Sequence, residues 1–232
     1  MIVLITGHLG FIGSNLKSYL EKQNYQIIGL DLKRDQDILF CDLPECDLVI
    51  HLAAKSGVRQ SIKDPETYWN INVNGTRRIL EHYKNTRVLV ASSSSQYEPH
   101  LNPYAASKHV MEKIPHDNVC WMRFHTVYSD TPREDMFLHK LFNGTLEYVT
   151  DHERDFIHVT DVCRAIEILI NNDYIGPIDI GTGITTKISS LSPTLPIKTE
   201  TSFERKRTCA DISVLRSFGF EPMIKLSSYV RI

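Results

Sequence analysis

Unbroken apolar runs rich in β-branched residues recur along the first half of the chain, and stretches of helical period fill the gaps between them. The runs predict strands at Ile2–Thr6, Gln26–Asp31, Leu48–Leu52, Arg87–Ala91 and Val119–Phe124. The intervening patterns predict helices near Ile12–Lys22, Asp64–Tyr83 and Tyr104–Lys113. A strand that is apolar at consecutive positions, rather than at every second one, is covered on both faces. Strand and helix in alternation therefore predict an α/β fold, a doubly wound parallel sheet with helices on both sides. In such a sheet, ligands bind beyond the carboxyl ends of the strands. The pattern changes after Phe124. A helix is predicted near Glu134–Asn143, short strands at Leu146–Val149 and Asp155–His158, a helix near Thr160–Asn171, and a strand from Pro177 that runs into Gly181-Thr182-Gly183. Residues 185–201 are rich in Ser, Thr and Pro. The expected organisation is a sheet domain over 1–124 and a small, truncated C-terminal lobe over 125–232, with Asp155–Ile180 able to return to the main sheet.

Candidate chemistry begins at the first strand–helix boundary, Thr6-Gly7-His8-Leu9-Gly10-Phe11-Ile12-Gly13. Gly7 supplies freedom for a tight turn, Gly10 lets the backbone approach a pyrophosphate, and Gly13 lets the helix pack on the strand. The N–H groups of Gly10, Phe11, Ile12 and Gly13 then form a phosphate site at the helix start. A glycine-rich turn with no ligand has the same look, so context must support it. The second strand supplies that context by ending in Asp31, where a Rossmann-type sheet places the acid that accepts from a ribose. A carboxylate there favours NAD over NADP, while Lys33 and Arg34, directly behind it, suit a 2′-phosphate.

Bulk properties narrow the classes. A length of 232 residues suffices for one core with a small appendage. A net charge of −2 exerts no general pull on nucleic acid or anionic membrane. No apolar stretch reaches spanning length, and the N-terminus runs straight into a strand, so neither a membrane span nor a signal peptide is expected. Five scattered cysteines without a C-x-x-C pair argue against a disulfide framework or a zinc site and fit a reducing cytoplasm. The ten histidines lack metal-ligand spacing, so no metal is expected.

Tyr104 and Lys108 lie four apart on one face of a predicted helix. An ammonium beside a phenol stabilises the phenolate, and the nearby helix N-terminus adds positive potential. That suits Tyr104 to general-base work. Taken alone, such a pair more often marks a solvated helix surface. Upstream, a buried strand ends in the hydroxyls Ser92 to Ser95, which a capping loop also shows. The order of motifs adds weight: glycine loop, acid, His51-Leu52-Ala53-Ala54, serine cluster and Tyr-x-x-x-Lys, each after its own strand.

With these motifs in this order, the chain resembles the extended short-chain dehydrogenase/reductase family, and within it the NAD-dependent nucleotide-sugar epimerases. The likeness continues through Asn72-Val73-Asn74-Gly75-Thr76 and Arg154-Asp155-Phe156-Ile157-His158-Val159-Thr160-Asp161-Val162. The resemblance implies an enzyme in which Tyr104, supported by Lys108, takes the proton of a sugar 4-hydroxyl while NAD holds the C4 hydride and returns it. It implies that Ser93, with Ser94 as neighbour, hydrogen-bonds the same oxygen. It places Asp42 and Leu43 beside adenine, and Leu52, Ala53 and Ala54 beside the cofactor.

The subclass is read at the serine cluster. Dehydratases of the family carry an Asp-Glu pair there and decarboxylases a Glu, whereas this chain has Ser94-Ser95-Gln96-Tyr97, which speaks for epimerisation. Two segments are similar to UDP-glucuronic acid 4-epimerases: His51 to Ser61, and Arg123-Phe124-His125-Thr126-Val127-Tyr128 followed by Arg133-Glu134-Asp135-Met136. The likeness implies a UDP-sugar substrate, with UDP-glucuronate as the best reading, held by Ser56, Arg59, Ser94, Thr126, Arg133, Arg154 and Arg205. A guanidinium at Arg133 suits a C5 carboxylate, and Arg154 with Arg205 suits a diphosphate. Solvated or ion-paired surface arginines are the plain alternative for each. UDP-glucose or UDP-N-acetylhexosamine 4-epimerase, UDP-glucuronate decarboxylase and a non-catalytic dinucleotide sensor stay open. His125 stands where the pattern has an aromatic. In the family the Tyr/Lys helix builds the dimer interface; here Pro115 cuts it to about three turns, so a weak homodimer or a monomer is expected.

Overall fold

The computed structural model describes residues 1–130, 136–199 and 202–230. Its strands are β1 (Ile2–Thr6), β2 (Gln26–Leu30), β3 (Leu48–His51), β4 (Arg87–Ser93), β5 (Val119–Phe124), β6 (Thr126–Tyr128), β7 (Val149–Thr150), β8 (Glu153–His158), β9 (Gly176–Ile180), β10 (Thr185–Lys187) and β11 (Ile197–Lys198). The α-helices are α1 (Phe11–Lys22), α2 (Val58–Lys63), α3 (Pro65–Trp69), α4 (Thr76–His82), α5 (Pro103–Met111), α6 (Phe137–Phe142), α7 (Val159–Ile170) and α8 (Ser213–Ser217). Six strands pair in parallel in the order β2-β1-β3-β4-β5-β9.

Successive side chains in this sheet enter opposite cores, which is why its strands are apolar at consecutive positions. Val3 and Ile5, Leu48 and Ile50, Leu89, and Cys120 and Met122 pack against Leu16 and Leu20 of α1 and Val162, Ile166 and Leu169 of α7. Leu4, Val49, Val88, Val90 and Trp121 pack the other way, against Ile79 and Leu80 of α4 and Met111 of α5. The chain winds outward from β1 in both directions, to β2 and to β3. The carboxyl ends of these strands therefore open onto a crevice at the point where the winding reverses.

The helix expected over Asp64–Tyr83 is in fact several pieces, starting earlier at Val58. Asp64 breaks it, with φ −142° and ψ 64°, because the residue before a proline is barred from helical geometry. Its carboxylate then caps α3 by accepting from the Thr67 N–H at 3.3 Å. Asn70–Gly75 forms a π-helical stretch that leads into α4. The wider turn carries Asn72 inward, where Oδ1 accepts from Lys55 N at 2.8 Å and Nδ2 donates to Lys55 O at 3.1 Å and Ser107 Oγ at 2.9 Å. One side chain thus holds the loop after β3 to α5, the kind of task π-turns serve near functional sites.

After β5 the chain builds smaller units. β8 pairs with β6 and β10 in a three-stranded sheet, whereas β9 runs beside β5 in the main sheet. α7 packs on α1. Asp155, fully buried, fastens these parts together. It accepts from Thr182 N and Oγ1 at 2.8 and 2.7 Å, Gly183 N at 2.8 Å and Ala210 N at 3.0 Å. Of the strand expected at Leu146–Val149, only the two-residue β7 at Val149–Thr150 forms. Of the helix expected near Glu134–Asn143, α6 is the described part. Among the described residues, no helix is long and apolar enough to cross a membrane.

Candidate active site

A cavity of about 280 Å³ lies at the carboxyl ends of β1, β3 and β4. It gathers Gly7, Gly10, Phe11, Ile12, Gly13, Leu52, Ala54, Ser56, Ser93, Tyr104 and Lys108 from among the residues singled out in the sequence. The glycine loop is built on backbone contact. Gly7 sits at φ +73°, and a Cβ there would lie 2.8 Å from Ala53 N. A Cβ on Gly13 would lie 2.2 Å from the Gly7 carbonyl oxygen. Helix α1 begins at Phe11 with Gly10 as its N-cap and no side-chain cap; the Gly10 N–H donates to Gly7 O at 2.9 Å, and the N–H groups of the first turn are left for an anion. A side-chain-free floor beside an uncapped helix start fits a dinucleotide pyrophosphate. Thr6 and His51 brace the loop from below. Thr6 Oγ1 is 2.7 Å from His51 Nδ1 and accepts from Ala53 N at 3.2 Å, while His51 Nε2 is 3.2 Å from Thr76 Oγ1. Burial, aided by Lys108, pushes His51 down to about 3, so it works as a neutral strut.

Asp31 stands apart from the lining of this cavity. It is nearly buried at the end of β2, and its carboxylate accepts from Leu9 N at 2.8 Å and Lys33 N at 2.9 Å. Each oxygen keeps a lone pair for a ribose hydroxyl. Lys33 Nζ donates to Leu9 O at 3.0 Å, which commits that ammonium to the glycine loop. Asp42 is exposed and Leu43 half-buried further along the same edge, with Leu43 against the core cluster that holds Tyr83.

Asn102 starts α5 by accepting from Ala105 N at 2.8 Å, and Pro103 occupies the first turn, where its missing N–H costs nothing. This start presents Tyr104 to the cavity and turns Lys108 inward. The Lys108 ammonium lies 6.0 Å from the Tyr104 ring centre and donates to Ala91 O at 2.7 Å. Burial pushes Lys108 down to about 7, with Glu112 opposing the shift. Tyr104 meets Tyr68 edge to face at 6.2 Å, and Tyr68 donates to Ser56 O at 2.6 Å. Ser93 Oγ accepts from Ser95 N at 3.1 Å and turns β4 into the Ser94–Tyr97 turn.

A second cavity, about 150 Å³, adjoins the first and shares Ser93, Phe124 and His125 with it. Ser94, Thr126, Arg154 and Arg205 line it, together with Glu98 and Glu204. Arg154 does not pair with the neighbouring carboxylates Glu153 or Asp155. Its Nη2 meets Glu204 Oε2 at 3.1 Å, and Arg59, well exposed, lies 3.9 Å from the same carboxylate. Arg205 bonds Glu98 Oε1 and Ser94 O, each at 2.9 Å. Arg133 lies outside the described residues.

A polar chain beneath the serines, buried at Ser92, Glu112, His125 and Asp179 and open to solvent at Tyr97, has no counterpart in the motifs of the sequence. Glu112, at the end of α5, accepts from Ser92 Oγ and from Arg123 through Nε at 3.1 Å and Nη2 at 2.6 Å. Arg123 Nη1 reaches Tyr97 OH at 3.0 Å, Tyr97 donates to Asp179 Oδ1 at 2.8 Å, and His125 Nε2 lies 3.3 Å from Asp179 Oδ2. Burial alone would raise Asp179, but hydrogen bonds from His125 and Tyr97 hold it below the ordinary carboxylate range. Two signals were present: Glu112 repeats the Tyr104/Lys108 spacing by four, and Arg123 interrupts an otherwise apolar strand.

Residues 3–181 match the NAD dependent epimerase/dehydratase family. Protein CapI of Staphylococcus aureus is 32% identical, over 73% of this chain and 69% of its own length. Among solved structures, MoeE5 in complex with UDP-glucose and NAD is 29% identical and covers 98% of this chain and 95% of its own, with a TM-score of 0.84. The UDP-glucuronic acid 4-epimerase of Bacillus cereus, in complex with UDP-glucuronic acid and NAD, is 28% identical, covers 98% and 96%, and has a TM-score of 0.81. The match spans the glycine loop, the serine strand, the Tyr/Lys helix and β9, so the chain belongs to the NAD dependent epimerase/dehydratase family, as an NAD-dependent nucleotide-sugar epimerase.

Proposed function

We propose that this enzyme epimerises a UDP-sugar at C4, with UDP-glucuronate and UDP-galacturonate as the interconverted pair. The observation that carries the reading is the convergence of Ser93, Tyr104 and Lys108 on the wall of the glycine-loop cavity, directly beside a second cavity that holds Arg154 and Arg205. The chemistry that NAD supplies when bound is reversible acceptance of a hydride from carbon. Gly7, Gly10 and Gly13 with the start of α1 hold its pyrophosphate, and Asp31 accepts from its adenosine ribose.

Tyr104 takes the proton of the sugar 4-hydroxyl and later returns it. Lys108 stabilises the phenolate that this requires, because an ammonium in a buried, low-dielectric pocket acts with little screening. Ser93 spends its lone pair on Ser95 N, so its own proton can donate to the sugar oxygen. Arg154 and Arg205 receive the substrate's anionic groups, exchanging Glu204 and Glu98 for them. The serine turn carries no carboxylate for elimination, as Ser94, Ser95 and Gln96 occupy it. The glucuronate assignment is supported by the segments around Arg59 and Thr126 and by the similarity to the B. cereus enzyme. UDP-glucose is the second reading: MoeE5, to which the chain is also similar, is in complex with NAD and UDP-glucose in one structure and with NAD and UDP-glucuronic acid in another.

Proton NMR of the enzyme with UDP-glucuronate tests the proposal. The expected result is UDP-galacturonate without net NADH or carbon dioxide. Turnover of UDP-glucose with none of UDP-glucuronate transfers the assignment to the second reading. Tyr104→Phe should lower kcat by about 10²–10⁴-fold with NAD binding retained.

A further inference from the structure

Three consecutive residues at the end of β4 face three different tasks. Ala91 offers its carbonyl to Lys108 at 2.7 Å, Ser92 donates its hydroxyl to Glu112, and Ser93 lines both cavities. The helix that carries Tyr104 is therefore tied to the strand that carries Ser93 at two points, four residues apart along α5. Glu112 makes the outer tie, and it is an unexpected residue there. A carboxylate at the C-terminal end of a helix opposes the macrodipole. It is also nearly buried, with its side chain 6% exposed. Both features disfavour a charge that merely decorates a helix end. Arg123 compensates it from β5 through Nε and Nη2, and Arg123 is in turn held by Tyr97 OH.

We propose that Glu112 is a positioning residue for the Ser93/Tyr104/Lys108 set: it fixes α5 against the end of β4 and keeps a negative charge beside the buried Lys108 ammonium. The inference rests on reading Tyr104 and Lys108 as the acid–base pair. The groups that face Lys108 are Tyr104 and Glu112 on α5, the neutral His51 on β3 and the Ala91 carbonyl on β4, with Arg123 of β5 behind Glu112. The Ala91 carbonyl favours the charged lysine as a hydrogen-bond acceptor, and Glu112 favours it as the carboxylate of the group. His51 contributes no charge, and Arg123 opposes one.

The test compares Glu112→Gln with Ser92→Ala in the NAD-loaded enzyme, across a pH series. Gln keeps the shape and removes the charge: its oxygen can still accept from Arg123, and its amide nitrogen can donate to Ser92, whose hydroxyl turns from donor to acceptor. Lys108 then loses its proton more readily, and the alkaline limb of the kcat profile moves down by about half to one pH unit. Ser92→Ala loosens the tie without touching charge, so kcat falls while the limb stays in place. A second arm needs no turnover. The pH range over which stability to urea depends on Lys108 should also move down in Glu112→Gln, read as the difference between each protein and its Lys108→Met counterpart. Wild-type failure on every UDP-sugar would defeat the proposed function yet leave this arm readable. A Glu112→Gln protein whose pH range and limb superimpose on those of the parent overturns the inference. So does one in which Glu112→Gln and Ser92→Ala change the profile alike.

Discussion

Replacing Lys108 by Met should make the cofactor-free protein more stable while abolishing its chemistry. The Lys108 ammonium is buried. Its affinity for a proton falls from an ordinary 10.5 to about 7 because burial strips its water. At about 1.4 kcal/mol for each pH unit, holding that charge in the folded state at pH 6 costs about 5 kcal/mol relative to the unfolded chain. The sign follows from proton counts. Between 7 and 10.5 the unfolded chain binds a proton that the native protein does not, so this contribution to stability rises with pH across that window. At pH 9 about 2 kcal/mol of the handicap remains. Met keeps the length of the side chain and fills the same space. It does leave the Ala91 carbonyl without its 2.7 Å partner, at about 1–3 kcal/mol. It does not strand Glu112, whose carboxylate stays paired with Arg123 and Ser92.

The lost bond is nearly independent of pH, so the change in advantage is the cleaner quantity. The Met variant should gain about 2–4 kcal/mol at pH 6 and close to nothing at pH 9, a fall of about 3 kcal/mol. Urea denaturation of both proteins, stripped of dinucleotide, at pH 6 and pH 9 measures this. Titrations common to both proteins cancel in the difference. A stability difference that is the same at both pH values, or larger at pH 9, refutes the reasoning. Such a result means that the native lysine keeps an ordinary or raised proton affinity, as a well-solvated or well-paired ammonium does. A gain at pH 6 marks Lys108 as a residue kept for chemistry at the expense of stability.

Other outcomes follow from single contacts. Gly13→Ala sets a methyl 2.2 Å from the Gly7 carbonyl, so the loop must shift; calorimetry should show NAD binding lost before the sheet unfolds. Asp155→Asn turns one of two doubly used oxygens into a donor facing donors, at a cost of about 3 kcal/mol or more, visible as a lower urea midpoint. With α5 only nine residues long, sedimentation at micromolar concentration should show a monomer or a weak dimer, and a tight dimer would count against the shortened-helix argument.

Legibility in the sequence tracks the range of the causes. The glycine loop was readable because each glycine answers to a steric demand within a few residues: Gly7 to a positive φ, Gly13 to the Gly7 carbonyl. Tyr104 and Lys108 were readable because a helix places residues four apart on one face. The main-sheet strands were readable because burial on both faces leaves a local trace. The break at Asp64 had a local cause in the Asp64-Pro65 pair, but the polar contacts that fasten the elements together depend on partners far along the chain. Nothing near Arg154 announces Glu204, 50 residues on. Nothing near Asp155 announces Thr182, Gly183 and Ala210. An apolar pattern also cannot say which sheet a strand joins, so β8 and β9, close in sequence and alike in character, went to different sheets.

The polar chain under the serines shows what such distant partners achieve together. Ser92, Glu112, Arg123, Tyr97, Asp179 and His125 come from β4, α5, β5, the serine turn, β9 and the residue that follows β5. Each charged group in it would be unfavourable where it stands if left alone. Joined, they convert the relative placement of these elements into an all-or-none condition: a shift of α5 by one side-chain length would leave a buried carboxylate or guanidinium unpaired. An apolar contact at the same places tolerates sliding, because area changes gradually with displacement. Directional bonds to charges do not. The Ser93 hydroxyl and the Tyr104 phenol approach one sugar oxygen from different elements. Their separation is therefore better defined by this polar chain than a nine-residue helix could achieve by packing alone.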